Sequence, residues 1–138
     1  MLAELGEGAC LALCICELGK PGITEGEALS LTLEGIRRGY IRYDEEDRNN
    51  PDNCFVADRD ALMNLVTGEK RWRSSKENPG YPIGAQDKVI ECWKWEEILK
   101  SRVITHQHFR LNDWDPIMNS KTVKYGSLES LRVFRKAA

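Results

Sequence analysis

Residues 88–111 read KVIECWKWEEILKSRVITHQHFRL. Lys88–Trp95 and Arg102–Leu111 within this stretch are short, rich in β-branched and aromatic residues and bounded by turn signals, which predicts strands. Lys121–Tyr125 (KTVKY) and Glu129–Arg135 (ESLRVFR) continue the pattern downstream, with Gly126-Ser127 as a tight hairpin between them. Glu69–Ser74 is a candidate for a further strand.

Upstream the period changes to that of helices. Ala9–Leu18 (ACLALCICEL) is nearly all apolar and runs into Gly19-Lys20-Pro21-Gly22, a helix stop. This predicts a buried helix. Thr24-Glu25-Gly26-Glu27 opens a second helix, with a hydroxyl at the cap and a carboxylate three residues on. Leu29, Leu33 and Ile36, with Ala28 beside them, supply its apolar face, and Gly39 ends it. A third helix is predicted over Asp58–Thr67, with Ala61, Leu62, Leu65 and Val66 inward and Gly68 as terminator. Helices first and an antiparallel sheet from the C-terminal half make an α+β arrangement. No internal repeat or low-complexity tract divides it, so residues 1–138 read as a single domain.

The chain has 138 residues, 41% hydrophobic and 30% charged, enough for one core that needs neither disulfides nor a metal. Lys+Arg total 20 and Asp+Glu 22, a net charge of −2 with neutral histidines. That balance argues against nucleic acid as a partner. Asp44-Glu45-Glu46-Asp47 reads as a solvated loop. The five cysteines, at 10, 14, 16, 54 and 92, are odd in number and lack the spacing of a secreted disulfide scaffold. Ala9–Leu18 is too short to span a bilayer and follows Glu4 and Glu7, where a signal peptide carries positive charge. The expectation is a cytoplasmic protein with no membrane partner.

Cys10 stands at the predicted start of the first helix, behind Gly6-Glu7-Gly8. Unpaired amides and the positive end of the helix dipole favour a thiolate there. Cys14, Cys16, Cys54 and Cys92 read as core residues. The only histidines, His106 and His108, lie two apart in a predicted strand and so share a face. A cysteine nucleophile needs an imidazole, and the imidazole needs a third group to fix its tautomer. Asn112-Asp113-Trp114-Asp115-Pro116 supplies candidates for that group. The His-x-His pair also has a zinc reading, with Cys10, Cys14 or a carboxylate as further ligands. There is no Cys-x-x-Cys pair and no third histidine, so neither metal nor cofactor is expected. Trp93 and Trp95 alternate with Lys94, placed either to line a substrate groove or to pack under the helices. The segment Ser74–Gln86, with Pro79-Gly80-Tyr81-Pro82-Ile83-Gly84, is long enough to border a binding site.

Gly8-Ala9-Cys10-Leu11, His108-Phe109-Arg110-Leu111 and Trp114-Asp115-Pro116, in this order, resemble the nucleophile helix, histidine strand and third-residue strand of papain-like cysteine peptidases. The closer likeness is to small bacterial and phage relatives, including bacteriocin-processing peptidases. Residues 119–126 followed by Leu131-Arg132-Val133-Phe134 resemble the closing hairpin of those relatives. The resemblance implies a papain-like fold and a cysteine hydrolase acting on a peptide or protein substrate. It makes Cys10 the nucleophile, His108 the base and Asp115 the orienting group, with His106 and Asp113 as fallbacks; apart from the resemblance, Trp93, Trp95 and Trp114 are the candidate substrate-binding side chains. Glu4 stands near where relatives commonly carry an oxyanion-donating glutamine, so the amides of Cys10 and its neighbour would have to serve instead. A chain of this fold without the chemistry would be a peptide- or protein-binding module.

Overall fold

The apolar run becomes a central buried helix. In the computed structural model, which describes residues 9–43, 54–117 and 120–137, α1 spans Ala9–Gly19 and is buried at every position from Ala9 to Cys16 except Leu13. Gly19 permits its close crossing with α3 (Arg59–Thr67), since a β-carbon there would lie 2.9 Å from Val66 Cγ1. Lys88 Nζ donates to the Leu18 carbonyl at 3.0 Å, satisfying one of the acceptors left over where the helix ends. The acidic cluster 44–47 lies outside the described residues.

α2 (Glu25–Arg37) begins as its cap predicts: the Thr24 hydroxyl accepts from Glu27 N at 3.2 Å. Its buried face differs from the expected one. Ala28, Thr32 and Gly35 face the core, whereas Leu33 is 50% exposed. The contact is too close for large side chains, because a β-carbon on Gly35 would meet Ile41 Cδ1 at 3.0 Å and Leu62 Cδ1 at 3.2 Å. α3 is capped by Asp58, which accepts from Ala61 N at 3.0 Å, and stopped by Gly68 at φ +74°. Leu62, Met63 and Val66 are buried, while Ala61 and Leu65 are half-buried. A small antiparallel pair, β1 (Ile41–Tyr43) and β2 (Cys54–Val56), lies between α2 and α3 in the chain.

The main sheet is antiparallel with the order β3-β6-β4-β5, from strands Trp72–Glu77, Ser127–Lys136, Lys88–Leu99 and Arg102–Arg110 respectively. β6 is central and buried from Ser130 to Phe134. The candidate strand at Glu69–Ser74 starts later, at Trp72, and extends to Glu77, shortening the loop after it. Arg135 ties that loop down, donating to Tyr81 Oη at 2.6 Å, the Pro82 carbonyl at 3.2 Å and Asp87 Oδ2 at 2.9 Å. β4 and β5 pair as far as Leu99↔Arg102, well beyond the part of β4 that β6 covers. Lys100 and Ser101, both at positive φ, close this arm in a two-residue turn suited to the strand twist.

The expected strand Lys121–Tyr125 is instead a short helix, α4, and Gly126-Ser127 is no hairpin. β6 already has a strand on each side, so a strand preceding it could not pair with it as a hairpin. Gly126 leads from α4 into β6 where a β-carbon would strike the Lys94 and Thr122 carbonyl oxygens. Trp72, Ile90, Leu111 and Phe134 close the core beneath α1. No helix among the described residues is long and apolar enough to cross a membrane.

Candidate active site

β5 divides its residues by parity. Phe109 and Leu111 join the core, while His106 and His108 lie directly across from Trp95 and Trp93 of β4. Alternation therefore delivers both histidines to one face, as their spacing predicts. Their surroundings differ. His106 stacks on Trp95, with centroids 5.0 Å apart and planes 22° from parallel, and Trp95 in turn meets Tyr125 of α4. Among the described residues the nearest carboxylate to the His106 ring is Glu97, with Oε1 3.7 Å from Nε2, too far for a hydrogen bond. That nitrogen is buried and has no hydrogen-bond partner among the described residues.

His108 is 3% exposed, and its Nε2 lies 2.7 Å from Asp115 Oδ1. The turn after β5 makes this contact. Leu111 N donates to the Trp114 carbonyl at 2.8 Å, bringing the following residue back alongside the strand. Asp115 Oδ1 also accepts from Ile117 N at 2.9 Å, which fixes the carboxylate. An ionised carboxylate only accepts, so Nε2 carries the proton and Nδ1 is left as the basic nitrogen. Asp113 is exposed, and Trp114 is half-buried against the core.

α1 lies against both β4 and β5. Cys10 is in its first described turn and 2% exposed; Glu4 and Gly6-Glu7-Gly8 lie outside the described residues. Cys14, one turn on, has its pKa raised strongly by burial, and the Cys10 thiol and the Asp115 carboxylate raise it further. Burial also pushes the Cys16 thiol up to about 11, against a hydrogen bond with Thr32 that lowers it. Cys14 and Cys16 are thus neutral core thiols at ordinary pH, and Cys92 is likewise buried with a raised pKa. Cys54 lies in β2, and its side chain is outside the description.

Trp93 is half-buried; its Nε1 donates to Glu91 Oε1 at 3.0 Å, and the Arg110 guanidinium lies 4.7 Å from its ring centre. Arg110 Nε also donates to Glu91 Oε1 at 2.9 Å. This Glu91–Arg110 bridge beside His108 leaves little sequence signal, because its partners are far apart in the chain and meet only through the β4–β5 pairing. Among the described residues, no three His, Cys, Asp or Glu side chains group as metal ligands. Compared with protein-family models, curated proteins and solved structures, the chain matches none.

Proposed function

We propose that this chain is a small papain-like cysteine hydrolase that cleaves an amide bond in a peptide, isopeptide or cell-wall substrate. The observation carrying this reading is the 2.7 Å contact between buried His108 Nε2 and Asp115 Oδ1. It leaves Nδ1 as the imidazole's working nitrogen, on a strand packed against the helix that bears Cys10. In this reading Nδ1 takes the Cys10 proton, giving a thiolate and an imidazolium held by Asp115. The sulfur attacks the substrate carbonyl carbon. The C–N bond then breaks as Nδ1–H protonates the leaving amine, giving a thioester. Water attacks the thioester while Nδ1 takes its proton, and the C–S bond breaks to release the acid and restore the thiol.

Backbone amides at the start of α1 supply the oxyanion donors, worth about 3–4 kcal/mol for each well-placed one. Trp93, Trp95 and Trp114 border the peptide or protein substrate. The odd cysteine count and the buried thiols of α1 fit a reducing, cytoplasmic setting.

Alkylation by iodoacetamide, with the adduct located by mass, tests the proposal. Selective modification of Cys10 at about pH 6, where an ordinary thiol is almost wholly protonated, is the expected result. Slow, uniform labelling of all cysteines would leave the binding module as the better reading.

A further inference from the structure

The sheet face that packs beneath α1 is apolar at one end only. Beyond Ile90 and Phe134, Arg132 of β6 sits opposite Lys76 of β3, and Ser130 opposite Cys92 of β4. Arg132 is only 7% exposed. Its Nη1 donates to Ser130 Oγ at 2.7 Å, and its guanidinium carbon lies 5.4 Å from the Phe109 ring centre. Its Nε is shut away from solvent and has no acceptor among the described residues. A buried donor left without a partner forfeits its solvation for nothing, so the missing acceptor needs an explanation.

The nearby carboxylates do not supply it. Glu129 accepts from Ser130 and pairs with Lys76 at 3.5 Å and Lys94 at 3.6 Å. Asp60 accepts from both the amide and the hydroxyl of Ser74. Arg59, at the start of α3, donates from Nε to Ser74 Oγ at 3.2 Å. Ser74 stands opposite Phe134, two residues along β6 from Arg132, and the Arg132 charge, after burial, lowers the Arg59 pKa. Arg59, Lys76, Lys94 and Arg132 thus outnumber Asp60 and Glu129, and both Glu129 oxygens and Asp60 Oδ1 are already engaged.

We infer that Arg132 and Arg59 form a binding site for a small oxyanion, which supplies the acceptor Arg132 Nε lacks. A guanidinium offers paired N–H groups that match a carboxylate or a phosphate. The two sources of such an anion are a peptide carboxylate and free phosphate. The inference does not rest on the Cys10 chemistry, and a chain without hydrolase activity would keep the site.

The test is calorimetric titration of the full chain with inorganic phosphate and, separately, with N-acetylglutamate, at constant ionic strength with chloride as the control. Saturable binding of either anion is expected, weakened at least about tenfold in Arg59→Gln, as for loss of a charge-assisted contact. Tighter binding of N-acetylglutamate identifies the site as one for a peptide carboxylate; tighter binding of phosphate identifies free phosphate. Arg132→Gln should abolish binding, and the partly exposed Arg59 keeps the proposal testable if that variant does not fold. No heat beyond the chloride control, or equal binding by Arg59→Gln and the parent, would overturn it.

Discussion

His106 and His108 stand two residues apart on one strand and one face, each opposite a tryptophan, yet they occupy different chemical settings. His106 is held by ring stacking, with its nearest carboxylate at 3.7 Å. His108 is held by a carboxylate at 2.7 Å that a backbone turn has folded back onto the strand. The strand delivers both rings; the turn from Leu111 to Trp114 decides which one acquires a fixed tautomer. The difference between the two rings therefore rests on the loop that brings Asp115 back to the strand.

The comparison breaks most directly at His108. Replacing it with alanine should lower the alkylation rate of Cys10 at about pH 6 by roughly a hundredfold, the usual scale of acid–base assistance. His106→Ala should change that rate by less than about twofold. Equal effects would show the two rings to be equivalent. Asp115→Asn keeps the shape but offers Nε2 a neutral partner, and the rate should fall by about tenfold. Asp113→Asn should leave it unaltered. Both pairs are read from pseudo-first-order labelling followed by intact mass.

The other thiols of α1 provide a pH control. Folded Cys16 has its pKa raised from 9.0 to about 11, and that of Cys14 is raised as well. A raised thiol pKa stabilises the fold fully below the unfolded value, and the contribution is lost as pH rises through the folded value. Cys14 and Cys16 should therefore stay unlabelled through mildly alkaline pH and react only as stability falls toward about pH 11. Chemical denaturation at stepped pH, with labelling in parallel, checks the sign. Labelling of Cys16 below pH 9 in the folded chain would contradict it. The smallest effect is expected at Trp95→Ala, which removes the ring beneath His106. The loss should be about 1 kcal/mol beyond that of burial, seen in urea unfolding, with Cys10 labelling unchanged.

Most of the helical layer was legible because its signals are local. Thr24, Asp58 and Gly68 act within a turn of their own positions, and each does what its residue type predicts. The buried face of α2 was not legible, because Ala28, Thr32 and Gly35 achieve its packing by being small, which hydrophobic periodicity does not register. Lys121–Tyr125 misled for the opposite reason. Thr122 and Val123 favour strands, but a sheet position exists only where a neighbour has a free edge, which is a property of the whole topology. At the site, residue type offered both histidines and both aspartates and the resemblance preferred His108 and Asp115, whereas the turn that brings Asp115 back to His108 has no signature in the sequence. Arg132 gave no warning, since a charged residue in a strand ordinarily faces water.

The central claim is that the imidazole held by Asp115 is the one that ionises Cys10. Thiolate absorbance near 240 nm, titrated from acid to neutral pH, measures this without needing a substrate. The account predicts close to one thiolate per chain at about pH 6, absent in Cys10→Ala and in His108→Ala and retained in His106→Ala. Thiolate that forms only above about pH 8 in the parent chain, or that survives in His108→Ala, would contradict it.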